Sequence, residues 1–400
     1  MTHQPPRSIR DPLAAFPEKP EKEWPIIDID SIPCTEISDT AVLAKSPLVS
    51  VRMSTYNHAP YIAKAIEGVL TQRVQFPMEL VIGEDCSTDA TRQIVMRYQQ
   101  RHPDIIRVVT SNGNVGSRRN GLRAHRVCRG KYNALCEGDD YWHDQTKLQR
   151  QVDTLETNPE IGFVHSDVNI LNLNTRKRTE RAHRVAGCMH DDTPEQLFLQ
   201  ILTGKYKIWT CTICTRSSLV NQILAENRLE FQTDRFLLGD TSLWMELSKR
   251  TRFHYIDEPL ATIHALPESA SRSRDAARQL RFLISCHDVR THYVKKFLPD
   301  EAAQRRAFCA CAHLDWALLH CAFRGGDVAT ARSILDMLAE ERGSTRLRER
   351  FLCWGTTSPF AHWMVSLSLQ AFRTIRYAAR TLTSRLRHGR HNTTRREMTW

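Results

Sequence analysis

Between residues 48 and 142 the chain repeats one unit: a short β-rich run, a polar turn, and then apolar residues at helical spacing. The first run, Leu48-Val-Ser-Val-Arg-Met-Ser-Thr55, leads to Pro60 at a first helical position and to Ala63, Ile66, Val69 and Leu70 three or four residues apart. Glu79-Leu-Val-Ile-Gly83 opens the second unit, whose helix from about Asp89 to Arg101 is expected to be capped by Thr88. The third passes from Arg107-Val-Val-Thr110 through Asn112-Gly-Asn-Val-Gly116 into a helix ending near Cys128, and the fourth strand, Tyr132-Asn-Ala-Leu-Cys136, runs into Glu137-Gly-Asp-Asp-Tyr-Trp142. Strands alternating with helices predict a Rossmann-like α/β fold, a mostly parallel sheet flanked by helices. Ligands of such sheets bind beyond the carboxyl ends of the strands, so the polar turns are expected to share one cleft.

What that cleft binds is narrowed by absences. Neither a P-loop nor a GxGxxG motif follows the first strand, which argues against an ordinary ATPase or dehydrogenase. The formal charge of +11 invites a nucleic-acid reading, but residues 371–400 hold eight arginines against one acidic residue, Glu397. The excess therefore belongs largely to the tail, and no nucleic-acid partner is expected. The first residues are rich in Pro, Lys and Glu where a signal peptide needs an apolar stretch, and no run is long enough to span a bilayer, so a cytoplasmic location is expected. Twelve scattered cysteines fit free thiols; Cys211 and Cys214, the single CxxC pair, and Cys309 and Cys311 read as buried structural residues.

Glu137, Asp139 and Asp140 stand together at a strand end, where three carboxylates repel one another unless a cation or hydrogen bonds compensate. A hard divalent ion, Mg²⁺ or Mn²⁺, prefers such oxygen ligands and commonly takes one or two carboxylates beside phosphate oxygens. A helix N-terminus would favour the same residues, and this segment alone fits both readings. Glu84 and Asp85 repeat the pattern on the second strand, where a carboxylate can accept a base or ribose hydrogen bond or cap a helix.

Taken in order, Val49-Ser-Val-Arg-Met-Ser-Thr-Tyr-Asn57, Glu84-Asp-Cys-Ser-Thr-Asp89, Asn114-Val-Gly116 with Arg119 and Asn120, Gly130-Lys-Tyr132 and Glu137-Gly-Asp-Asp-Tyr-Trp142 resemble inverting family 2 glycosyltransferases, which have the A-type glycosyltransferase fold. The resemblance covers about residues 47–270. It implies a nucleotide-sugar donor bordered by Thr55, Tyr56, Asn57, Asp85, Asn114, Gly116, Arg119, Asn120, Glu137, Asp139, Asp140 and His264, with Asp139 as the ligand of Mg²⁺ or Mn²⁺. Glu137 stands where the family's Asp-x-Asp motif begins. Leu238-Gly-Asp-Thr-Ser-Leu-Trp244 is similar to the segment presenting the catalytic base, which makes Asp240 the matching carboxylate although Gly239 replaces the acidic residue before it. Without the upstream motifs Asp240 would read as a helix cap; with them the base assignment is favoured. Ile263-His264, followed by Ser269 and Ser271, falls where the family often carries a His and Ser element near the donor phosphates. Thr210-Cys-Thr-Ile-Cys-Thr-Arg216 is placed on the acceptor side by the resemblance only.

The expected organisation is a flexible arm over residues 1–46, a catalytic domain over 47–270, a helical extension over 271–345 and a basic amphipathic tail over 346–400. Residues 275–340 read as two or three amphipathic helices, and Phe360 to Leu386 as a helix whose apolar stripe and arginines suit an anionic membrane surface or packing on its own domain. The function expected is inverting sugar transfer to a saccharide, lipid-linked or other hydroxyl acceptor in surface polysaccharide or glycan synthesis. The alternative is a non-catalytic regulatory or assembly protein on the same nucleotide-binding scaffold.

Overall fold

A computed structural model describes residues 24–186, 193–266, 273, 275–325, 328–355, 361–362 and 364–369. Its strands are β1 (Thr35–Ile37), β2 (Val49–Thr55), β3 (Met78–Glu84), β4 (Ile106–Thr110), β5 (Tyr132–Leu135), β6 (Tyr141–Trp142), β7 (Ile161–Asn172), β8 (Arg178–Thr179), β9 (Cys214–Arg216) and β10 (Arg252–Ala265). The helices are α1 (Ile62–Leu70), α2 (Thr91–Arg101), α3 (Ser117–Arg126), α4 (Lys147–Thr157), α5 (Ala182–Ala186), α6 (Pro194–Leu202), α7 (Ser217–Glu226), α8 (Arg228–Phe231), α9 (Gly239–Arg250), α10 (Ala276–Phe297), α11 (Glu301–Gly325), α12 (Val328–Arg342) and α13 (Leu347–Trp354).

The strands form one sheet in the order β1-β4-β3-β2-β5-β9-β7-β10-β6, with β8 beside β7. All the longer strands run the same way: β2 pairs in parallel with β3 and β5, β3 with β4, and β7 with β10. The short strands β1, β6, β8 and β9 are antiparallel to their neighbours. A mostly parallel α/β sheet flanked by helices is therefore present as the alternation predicted. Successive residues feed opposite faces, as the pleat requires: Ala134, Val164 and Cys214 enter the core shared with α1 and α4, while Leu135, Phe163 and Ile213 enter the one shared with α6, α7 and α9.

Part of the expected arm is ordered. β1 adds an antiparallel edge to β4, and the Ile27 amide donates to the Gln232 carbonyl at 2.6 Å. Thr210–Arg216, placed on the acceptor side by resemblance, ends in β9 in the middle of the sheet, with Cys211, Thr212, Cys214 and Thr215 buried. Cys211, Cys214 and Cys311 are buried thiols as expected, whereas Cys309 is exposed because it lies on the outer side of its helix. The predicted Thr88 cap is also corrected. The Thr88 amide donates to Asn57, and the Asp89 carboxylate accepts from the Thr91 amide at the start of α2.

The described chain forms two compact units, one ending at Cys311 and the other starting at Ala312. In the second, the buried Arg342 guanidinium is paired with Asp315 and with Glu349 at 2.9 Å. The helices expected over 275–340 are α10, α11 and α12. No described helix is long and apolar enough to cross a membrane. Most of the amphipathic stretch over 360–386, the basic tail to residue 400, and Ser269 and Ser271 lie outside the described residues.

Candidate active site

The carboxyl ends of β2, β3 and β5 carry the polar turns, and hydrogen bonds between the turns lock them together. Asn57, in the left-handed region at φ 55°, donates its amide to Ser87 Oγ at 3.1 Å and accepts from the Thr88 amide at 2.8 Å. The Asp85 amide donates to the Thr55 carbonyl. Thr55 is buried and its hydroxyl has no partner, while Tyr56 beside it is exposed. Of the expected donor residues, Tyr56 is thus open to solvent and Asn57 is engaged in bracing two strand ends.

Asp85 braces a third turn. Its carboxylate accepts from the amides of Val115 at 2.8 Å and Gly116 at 3.0 Å, while Asn114 Nδ2 donates to the Asp85 carbonyl. Gly116 has a φ of 88°, a conformation that glycine adopts without steric cost. Asp85 is only 2% exposed, with the fully buried Arg123 guanidinium 3.5 Å away. Arg123 in turn donates to Asn120, and Asn120 Nδ2 donates to the Gly83 carbonyl at 2.7 Å. Arg119 forms a two-bond ion pair with Asp234 at 3.1 and 2.9 Å. Asp85, Asn120 and Arg119 therefore shape the wall, and their polar atoms are spent on the protein.

The acidic turn follows β5. The Gly138 amide donates to the Ser54 carbonyl and the Asp140 amide to the Glu137 carbonyl, so the turn is pinned to the end of β2. Burial, followed by the nearby Asp139 charge, pushes the Glu137 carboxyl up to about 8, although Arg52 opposes the shift. Glu137 Oε2 is buried without a hydrogen-bond partner. Asp140 is also pushed well above the carboxylate range, by burial first and then by Asp139 and Glu137. Its Oδ1 accepts from the His264 amide at 3.1 Å. The His264 ring lies between Tyr61 and Tyr141, with centroids 5.2 and 5.4 Å away, and its Nδ1 bonds the Asp139 carbonyl at 2.5 Å. With Nδ1 donating to that carbonyl, Nε2 is left as the acceptor or ligand atom.

Asp240 lies in the first turn of α9, exposed, and its carboxylate accepts from the Thr241 amide at 2.7 Å. Its charge is felt at Glu137, which puts the helix start near the acidic turn although about a hundred residues separate the two carboxylates. Among the described residues no three His, Cys, Asp or Glu side chains form a preformed metal cage. The donor set nevertheless fits a hard divalent ion. One or two carboxylates suffice when diphosphate oxygens complete the shell, and Glu137 Oε2 beside Asp139 is a buried carboxyl atom with no hydrogen-bond partner.

Sequence reasoning missed Arg52, on β2 with its charge directed at Glu137, and Gly138, whose missing side chain lets the turn close on Thr55. Arg52 was legible as a charge inside an alternating strand, and Gly138 as the small residue between two acids. Arg118, which bonds three carbonyls ahead of Asp240, carried no signal in the sequence.

Residues 50–221 match the model of Glycosyl transferase family 2. An uncharacterized Mycobacterium tuberculosis protein is 38% identical over 132 residues, 33% of this chain and 38% of its own length. The chain thus matches well under half the length of that relative. A putative teichuronic acid biosynthesis glycosyltransferase of Bacillus subtilis, TuaG, is 25% identical over 62% of this chain and 91% of its own. Among solved structures, S. aureus TarS 1-349 in complex with UDP-GlcNAc aligns with a TM-score of 0.50 at 18% identity, covering 83% of this chain and 91% of that one. This last likeness concerns the fold, and it agrees with the A-type glycosyltransferase architecture expected from the motifs.

Proposed function

We propose that the chain transfers a sugar from a nucleotide-sugar donor to a hydroxyl of a saccharide or lipid-linked acceptor, with inversion at the anomeric carbon, in polysaccharide synthesis. The observation that carries this reading is the Glu137–Asp140 turn, whose crowded, partly orphaned carboxylates lie close enough to the exposed Asp240 for its charge to be felt at Glu137. Asp240 takes the proton of the acceptor hydroxyl as that oxygen attacks the anomeric carbon. The bond from that carbon to the diphosphate breaks, and the nucleoside diphosphate leaves with the electron pair. Asp139 would hold Mg²⁺ or Mn²⁺ with Glu137 close by, and the bound ion would supply charge stabilisation for the leaving diphosphate. Tyr56 is open to the nucleotide, and His264 Nε2 is the atom available to phosphate or metal. The match of residues 50–221 to the family model and the similarity to TuaG, named for teichuronic acid synthesis, support this substrate class.

The test is a thermal-shift panel of UDP, GDP, dTDP and CDP sugars with and without Mn²⁺, on wild type, Asp139→Asn and Asp240→Asn. Metal-dependent stabilisation by one nucleotide class is expected, lost in Asp139→Asn and kept in Asp240→Asn, and both variants should lose turnover. Nucleotide binding without turnover of any donor would point instead to a regulatory scaffold, and normal turnover by either variant would remove that residue from the mechanism.

A further inference from the structure

The geometry points to Arg118 as the positioning residue for Asp240, tying the segment that delivers the base to the donor-side turn; this rests on the reading of Asp240 given above. Arg118 lies in the first turn of α3, two residues after Gly116, and the amides of Val115 and Gly116 are held by the Asp85 carboxylate. Its Nη1 donates to the carbonyls of Glu230 at 3.2 Å and Phe231 at 3.0 Å, and its Nη2 to the carbonyl of Phe236. Glu230 and Phe231 are the last two residues of α8, and Phe236 lies on the short path from there to α9. A Cβ built on Gly239, the residue before Asp240, would find Arg118 Nη1 as its nearest neighbour at 3.8 Å. One guanidinium therefore spans the segment from its start to the threshold of the base.

The choice of residue follows from the chemistry. Three main-chain carbonyls that point at one place need a planar donor fork, which arginine supplies and a lysine ammonium reproduces only in part. Among the described residues the carboxylate on the path from α8 to α9, Asp234, pairs with Arg119 at the surface. The Arg119–Asp234 pair is exposed and adds little. Other supports hold the far side of the segment, namely the Leu237 amide on Ser285 Oγ at 2.8 Å and Glu230 on Lys296 and His292. Arg118 and the exposed Arg119–Asp234 pair both tie the segment to α3, and Arg118 is the one held in part-buried bonds. Its loss leaves the segment attached to α10 and to that surface pair, and freer to shift relative to the acidic turn.

The experiment is a double-mutant cycle of Arg118→Ala and Asp240→Asn on the full chain, with transfer kinetics, donor binding and thermal melting. Arg118→Ala is expected to lower kcat by about 30- to 100-fold, since misplacing a catalytic group by about 1 Å costs that much, with donor Kd within about threefold of wild type. Added to Asp240→Asn it should lower kcat no further, because a residue acting only through Asp240 has nothing left to position. Arg118→Lys should fall between wild type and Arg118→Ala, and it serves as the readout should Arg118→Ala fail to fold. Multiplicative losses in the double variant, a matching loss of donor binding, or wild-type kcat in Arg118→Lys and Arg118→Ala would each overturn the assignment. Full turnover by Asp240→Asn alone would instead sink the base assignment on which it rests.

Discussion

Replacing Gly138 by alanine tests whether the acidic turn owes its position to a missing side chain. A Cβ there would lie 2.6 Å from Thr55 Oγ1, 2.8 Å from Thr55 Cβ and 3.0 Å from His58 Nδ1. Carbon atoms in contact sit about 3.5–4.0 Å apart, so the turn or its support must give way by about 1 Å. Thr55 has little room to yield, being buried at the end of β2, whose neighbours on both sides are paired strands. The displacement therefore falls on the turn and carries Asp139 with it. Overpacking of this kind costs about 1–3 kcal/mol, and a 1 Å misplacement costs about 100-fold in rate. Gly130→Ala is the control, because its Cβ would meet the Ser50 amide nitrogen at 2.3 Å at the opposite end of the sheet. Transfer kinetics normalised to folded protein should show Gly138→Ala losing kcat heavily while Gly130→Ala loses stability and keeps its turnover per folded molecule. A Gly138→Ala protein with wild-type melting and wild-type kcat/KM would refute the reasoning.

Lys147 is fully buried beneath the acidic turn, with Gln151 Oε1 at 2.7 Å and the Trp142 ring at 4.0 Å, and burial pushes its ammonium down to about 8. The unfolded chain then binds the extra proton between about pH 8 and 10.5, so stability rises with pH across that window; Lys147→Met should abolish the rise and stabilise the protein at pH 7 by about 1–2 kcal/mol, after the loss of the Gln151 bond. Denaturant titrations at pH 7 and 10 would check both. The Glu230 carboxyl is raised by burial, but its bonds to His292 and Lys296 outweigh that and hold it at about 2. Its depressed pKa contributes stability that is complete above about pH 4.5 and lost as pH falls towards 2, so Glu230→Gln should flatten acid unfolding in that interval by about 1–3 kcal/mol. Cys86 sits at φ 57°, so Cys86→Gly should leave the melting temperature unchanged or raise it, by up to about 1 kcal/mol in stability, as read by differential scanning calorimetry. A loss of more than that would mean the thiol makes a contact that matters.

The parts of the fold legible in the sequence were those written locally. β2, β3, β4 and β5 are β-branched or apolar runs ending in polar turns, and their boundaries fall within a residue or two of those expected. The acidic turn was legible for the same reason, since its residues are neighbours along the chain. What sequence hid is long-range pairing. β9 has only three residues, too few to show a period of two, and its place between β5 and β7 depends on partners about 50 and 80 residues away. β1 sat inside a Pro-rich stretch and becomes a strand only because β4 offers an edge. Arg119 finds Asp234 across 115 residues, and Asp85 spends its carboxylate on two amides 30 residues ahead. The same residue types in the same turns would serve a donor or the protein itself, and only their neighbours in space decide between the two.

The insertion of β9 also sets an order for the birth of the sheet. Once residue 135 has left the ribosome, β2, β3, β4 and β5 can pair with one another, since each is joined to the next by a short crossover. β7 is synthesised soon after, yet it has no seat: its place beside β5 is held for β9, and its other long neighbour, β10, begins at Arg252. A twelve-residue strand, buried along most of its length in the finished protein, must therefore wait through about forty residues up to Cys214 with only the two-residue β8 beside it. Such an edge is an invitation to wrong partners until β9 and β10 cover it.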